Sequence, residues 1–274
     1  MREVAALVHF PPGLLPLIAS FLEGQSIIVA GGITNAGRII STTLCYSPDA
    51  RNWRTDVPSM STQRVSSAAV AIGDRMLIFG GRSRFHFSLA TCEAFDLATQ
   101  EWSALPPMST PRSFASAAAW HGRAFAIGGW NSSGSLSSAE CFDSAQNQWS
   151  HIPAMSTGRY HAAAVAVPDR GLIVMGGLLV TSGHDPCAAT VLQSAELYDP
   201  ATNAWTPMTW QLPRPLCDFA AHCIDQVIYI LGGCTAGGGS DACWSIDLRI
   251  AAPTWSPLPS MPTTITGLAS TVLL

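Results

Sequence analysis

The sequence predicts an all-β fold assembled from five repeated sheet units, and three observations carry that prediction. Gly-Gly pairs begin at Gly31, Gly80, Gly128, Gly176 and Gly232, with spacings of 49, 48, 48 and 56 residues. Tryptophans Trp53, Trp102, Trp149, Trp205 and Trp255 keep the same phase, at spacings of 49, 47, 56 and 50. Each glycine pair also closes a short continuous apolar run (27–29, 76–79, 125–127, 172–175 and 227–231), the pattern of a strand buried on both faces. A recurring unit of this length governs every local reading. From first glycine to tryptophan the distances are 22, 22, 21, 29 and 23 residues, so the extra length of the fourth unit falls in the loop 178–193.

With the aromatic-Asp dipeptides Phe95-Asp96, Phe142-Asp143 and Tyr198-Asp199 added to these glycines and tryptophans, the chain resembles the kelch-repeat family over about residues 27–274. The resemblance implies a kelch-type β-propeller of five four-stranded blades around a central channel. It implies much less about function, because one fold hosts many unrelated activities.

Taken in order, residues 1–26 lack the repeat's landmarks and are left as a segment of uncertain structure before the propeller at 27–274. Residues 15–22 read either as a short amphipathic helix or as a degenerate first strand. Glu3 and the break at Pro11-Pro12-Gly13 argue against a signal peptide, and no apolar run has the length of a membrane helix. In each unit the glycine pair supplies positive φ and close backbone approach where strand ends crowd near a channel. Large aromatics such as Trp102 and Trp149 are expected to pack between neighbouring blades. At the other end, the run from Met261 aligns with those from Met60 and Met155, which open the next repeat. The expectation is that 267–274 pairs into blade one and closes the ring without exposed edges. The rival reading is a larger propeller in which 15–22 supplies its own first strand.

Composition narrows the function classes. The 274 residues are 48% hydrophobic and 12% charged with a net charge of −4; without a basic run there is no footprint for nucleic acid. All 14 cationic side chains are arginine, which codon bias in a GC-rich genome accounts for. The eight cysteines show no CxxC and no zinc spacing. They read as reduced thiols of a cytoplasmic protein, with Cys45 and Cys141 as small apolar fillers before Tyr46 and Phe142.

Candidate chemistry centres on arginine. Arg64, Arg112, Arg159 and Arg214 precede the glycine pair by 16, 16, 17 and 18 residues, which predicts a ring of equivalent positions on one rim. In kelch-type substrate receptors arginines at this motif position help bind acidic peptides, and the resemblance carries that role to these four. A guanidinium suits the task because its planar fork grips a carboxylate with two hydrogen bonds. A structural reading stands beside it, since a position repeated in every blade also suits a joint to backbone carbonyls. The loops after the glycine pairs belong on the same face. The second of them joins Arg82 and Arg84 to Phe85 and Phe87, the usual chemistry of interface anchors, and Trp130 and Tyr160 are expected to extend that surface.

No nucleophile elbow, phosphate-binding glycine loop or HExxH occurs. Iron-dependent specifier proteins with kelch propellers carry Glu-x3-Asp-x3-His; here Asp218 and His222 match, but Arg214 replaces the glutamate. The reading is a non-enzymatic module that binds a protein segment, acidic or phosphorylated, on its loop face, without cofactor, metal, nucleic acid or membrane. By analogy with relatives it acts as substrate receptor for a cullin-type ubiquitin ligase, through another subunit. The alternative is a propeller enzyme, a sugar mutarotase or metal-dependent lyase, which needs a deep pocket with at least three convergent carboxylate or histidine groups.

Overall fold

The computed structural model describes residues 14–15, 19–22, 26–47, 52–85, 87–181 and 188–264. Among them are five antiparallel four-stranded sheets, each running in chain order from an inner strand to an outer one. In blade three these are Ser116–Trp120, Arg123–Ile127, Ala139–Asp143 and Gln148–Ile152, and Ser116 pairs Ile127 while Phe142 pairs Trp149. Inner strands of successive blades lie against one another from blade one to blade five. The fold is a five-bladed β-propeller.

Burial follows from this stacking. The middle strands are covered on both faces by neighbouring blades, so Met76–Phe79 and Cys92–Phe95 are all buried. The outer strands are wetter, as in Glu101–Leu105, where Glu101, Ser103 and Ala104 are exposed and Trp102 and Leu105 half-buried. Tryptophans on these outer strands fasten blades two to five to the linker that enters each. The indole N–H groups of Trp102, Trp149, Trp205 and Trp255 donate to the carbonyls of Pro58, Pro106, Pro153 and Gln211 at 2.8–3.0 Å. The Trp149 ring sits 5.3 Å from both Phe142 of its own blade and Phe79 of the blade before. Burying an aromatic ring of this kind contributes about 3 kcal/mol.

The glycine pairs mark where the linker leaving a blade for the next one crosses the end of the second strand. Gly80 has φ +65°, and a Cβ there would lie 2.3 Å from the Arg112 carbonyl oxygen. Only glycine fits that crossing.

Blade one corrects the expected closure. Its inner strand is Ala19–Leu22, paired with Ser26–Ala30 from Ala19↔Val29 to Leu22↔Ser26, so the place foreseen for 267–274 is held by the N-terminal segment. The propeller therefore begins inside the segment set apart as 1–26. Residues 267–274 lie outside the described residues.

Candidate functional site

Strands one and two meet at the far end of each blade, as do strands three and four. The loops after the glycine pairs and the interblade linkers all gather at the near end. Sequence reasoning put four arginines on that near rim, and for three of them the structure gives a different place. Arg64, Arg112 and Arg159 are 0%, 0% and 1% exposed. Arg112 donates to the Gly128 carbonyl at 2.6 Å, to the Ser138 carbonyl at 3.0 Å and to Glu140 Oε1 at 2.8 Å. Arg64 makes the same bonds to Gly80, Thr91 and Glu93, and Arg159 makes them to Gly176, Ser194 and Glu196. Each glutamate also accepts two linker amides, those of Ser109 and Thr110 in the case of Glu140. The clamp thus ties a blade to the chain that threads into it, and no donor fork is left for a ligand. Burial would raise the Glu140 carboxyl, but the Ser109 amide and the Arg112 guanidinium outweigh it and hold the group below the usual carboxylate range. Glu93 is held down in the same way by Ser61 and Arg64.

Arg214 is not the fourth member of that set. The carbonyls that cross the first four glycine pairs belong in turn to Arg64, Arg112, Arg159 and Leu216, the last accepting from Gly177 N–H at 2.8 Å. In blade five the clamp glutamate is replaced by Trp244, buried with Leu216 in one apolar cluster. Both partners of the ion pair have been exchanged together for apolar side chains. Arg214 remains exposed and lies over the Trp244 ring at 4.7 Å.

The channel mouth is built by residues that no shared chemistry announces. Two positions after each clamp residue stand Ser66, Phe114, His161 and Asp218, all left-handed with φ between 53° and 56°. They are stitched blade to blade: Phe114 N–H donates to the Ser66 carbonyl at 2.9 Å, His161 to Phe114 at 3.1 Å and Asp218 to His161 at 3.0 Å. Above this backbone ring the His161 imidazole stacks on Phe114 at 4.1 Å, and its Nδ1 meets the Asp218 carboxylate. With Nδ1 engaged, Nε2 is the ring nitrogen that the Asp218 contact leaves unused. Arg82 holds its guanidinium 5.7 Å from the Phe114 centroid. Tyr160 is 5% exposed and packs on Trp130 at 5.0 Å, so it supports the surface from below instead of forming part of it. Trp130 is half-buried.

Beside the mouth, the blade-two loop carries the most exposed aromatics of the described residues. Phe85 and Phe87 are 64% and 73% exposed, and Arg84 lies over Phe85 at 4.7 Å. Around them, among the described residues and leaving the buried clamps aside, the near face carries Arg38, Arg54, Arg82, Arg84 and Arg214 against Asp56, Asp218 and Asp241. The far-end turns carry Asp74, Asp96, Asp143, Asp169, Asp199, Asp225 and Asp247 against Arg75, Arg123, Arg170 and Arg249. Among the described residues the excess of positive charge is on the near face.

Asp218 turns to His161 of the preceding blade, not to His222 four residues on; burial pushes the His222 imidazole pKa down. Among the described residues no group of three His, Cys, Asp or Glu is placed to hold a metal ion. A cleft of about 410 Å³ opens between blades three and four, lined by Arg123, Asp143, Gln148, His151 and Asn203 among others. It lies away from the mouth.

Set beside known proteins, residues 18–233 match the family model of the KLHDC2/KLHL20/DRC7 Kelch-repeats domain, and residues 215–262 match that of the Kelch motif. An F-box/kelch-repeat protein of Arabidopsis thaliana is 32% identical over 101 residues, 35% of this chain and 24% of its own. Beta-scruin of Limulus polyphemus is 26% identical over 164 residues, 58% of this chain and 18% of its own. Kelch-like protein 26 of Danio rerio is 30% identical over 108 residues, covering 39% and 17%. The chain spans a quarter or less of the length of these relatives. The solved structure of YjhT superposes with a TM-score of 0.74 at 16% identity, covering 87% of this chain and 82% of that one, a likeness of fold alone.

Proposed function

Because the chain belongs to the kelch-repeat family of β-propellers, whose kelch-like relatives point to a protein-interaction module, we propose that its near face binds an acidic segment of a protein partner. The segment lies across the blade-two loop and Trp130 toward the channel mouth. Phe85 and Phe87 anchor it, Arg82 and Arg84 meet its carboxylates, and His161 Nε2 bonds to it at the rim. The observation that carries this reading is the pairing of two exposed phenylalanines with two guanidiniums on one loop. Aromatic and arginine side chains dominate the energetics of interfaces when they are desolvated together. The polarity of the two faces adds to it, since a cationic side attracts and orients an acidic partner before contact.

A place as substrate receptor of a ubiquitin ligase is the finer part of the proposal. It draws on the F-box named in the Arabidopsis relative and requires a cullin-linked subunit bound elsewhere on this chain or on a companion. The cytoplasm is the compartment that goes with it.

The test is capture of partners from lysate by the wild type and three variants. Phe85→Ala/Phe87→Ala and Arg82→Glu/Arg84→Glu are expected to lose partners that the wild type retains, with an unchanged melting temperature. Arg123→Ala, on the far side, keeps them. Equal capture by all forms would overturn the assignment.

A further inference from the structure

Among the described residues, cysteine occurs in facing positions at one of the bridges that join a linker to a near-end loop. The bridge recurs in blades two to five, as Val65↔Arg82, Ser113↔Trp130, Tyr160↔Leu178 and Cys217↔Cys234. Cys217 N–H donates to the Cys234 carbonyl at 2.9 Å and Cys234 N–H to the Cys217 carbonyl at 2.7 Å. Two residues that exchange both bonds stand directly opposite, with Cα atoms about 5.5 Å apart and side chains on the same side of the ladder. That Cα separation is within the span of a disulfide, and closing one from this hydrogen-bonded pair draws the Cβ atoms together by about 1 Å. The Cys217 sulfur already reaches 3.6 Å from the Cys234 carbonyl oxygen. Both thiols are free; Cys217 is buried and Cys234 is partly exposed.

We propose that Cys217 and Cys234 form an oxidation site at which a hydroperoxide closes a reversible disulfide beside the channel mouth. Cys234, the sulfur that solvent reaches, attacks the peroxide through its thiolate, a minor form because burial and then Asp218 raise the thiol's pKa; the S–O bond forms, the O–O bond breaks, the distal oxygen leaves as hydroxide or alkoxide and takes a proton from water, and Cys234 becomes a sulfenic acid. The Cys217 sulfur then attacks the Cys234 sulfur, the S–S bond forms, and hydroxide leaves with the Cys217 proton as water. The two thiols lose two electrons in all, and the peroxide takes them. Burial pushes the Cys217 thiol up to about 12, so it stays protonated until the sulfenic acid forms and serves as the resolving partner. Asp218 follows Cys217 directly, and its carboxylate holds His161 in the mouth. The disulfide therefore pins the segment that sets this part of the docking surface, a consequence that rests on the function proposed above.

Hydrogen peroxide on the folded wild type, then alkylation, proteolysis and mass spectrometry, decides the matter without reference to any partner. The expected product is a peptide pair linked through Cys217 and Cys234 and returned to free thiols by dithiothreitol. Cys234→Ser leaves Cys217 alkylatable only after unfolding, with no new linkage. Full alkylation of both residues after peroxide, over-oxidation of Cys234 without a link, or Cys217 joined to another cysteine would each overturn the proposal. Failure of the docking experiments leaves this result standing, so the two ideas fail separately.

Discussion

Replacing Arg112 by leucine removes one half of a clamp that repeats in three blades. Four hydrogen bonds disappear with it, to the Gly128 carbonyl, the Ser138 carbonyl and hydroxyl, and Glu140. Glu140, 1% exposed, is left with the Ser109 and Thr110 donors alone. Breaking a buried pair from one side typically costs about 3–5 kcal/mol, because an uncompensated charge stays behind. At about 4 kcal/mol the folding equilibrium shifts on the order of a thousandfold. Blade five indicates how the loss is recovered, because Leu216 and Trp244 occupy the two positions with no ion pair at all. Arg112→Leu/Glu140→Trp copies that solution into blade three, and apolar replacement of a whole buried pair is often neutral. Urea denaturation of the two single variants and the double variant forms a thermodynamic cycle. The double variant is expected to be more stable than Arg112→Leu by about 2 kcal/mol or more. A single substitution costing less than about 1 kcal/mol, or strictly additive losses, would refute the clamp as a coupled unit.

Other outcomes follow from the same geometry. Gly80→Ala places a Cβ 2.3 Å from the Arg112 carbonyl, whereas Gly37, also at positive φ, has open space around it. Chemical denaturation should show a loss of about 1 kcal/mol for Gly37→Ala, the backbone term alone, and clearly more for Gly80→Ala. Trp149→Phe forfeits the bond to the Pro106 carbonyl and part of the packing on Phe79, for about 2 kcal/mol. On acidification, His222, Glu93 and Glu140 act in one direction, since all three pKa values are lowered in the fold. Stability from such groups is complete above their unfolded pKa and is lost as pH falls through the folded one. Melting temperature should therefore begin to drop below the ordinary imidazole value of 6.5 and drop again below the ordinary carboxyl value of 4.5. His222→Gln removes only the first step.

The propeller could be read from the sequence because two kinds of residue have no alternative. Only glycine fits beneath a crossing carbonyl, and a tryptophan that bonds the incoming linker must recur once per blade. The clamp was half legible. Glu93, Glu140 and Glu196 stand two residues before the aromatic-Asp dipeptide in the blades that hold a clamp arginine. Blade five lacks both, and Leu216, not Arg214, stands 16 residues before Gly232. That joint disappearance signals a pair instead of a ligand site, but only if the two positions are compared together. The first strand of blade one was obscured because Ala19–Leu22 carries none of the repeat's landmarks. The mouth was not legible at all, since Ser66, Phe114, His161 and Asp218 share a backbone conformation and no side-chain chemistry. What joins His161 to Asp218 is the turn of the ring from blade four to blade five.

Hydrogen–deuterium exchange of the protein alone and in complex with a captured partner tests the docking face most directly. Protection is expected along 82–91, at 130–135 and around His161, with the far-end turns at Asp74, Asp143 and Asp199 unchanged. Protection confined to those far-end turns, with the partner bound and the near face exchanging freely, would contradict the account.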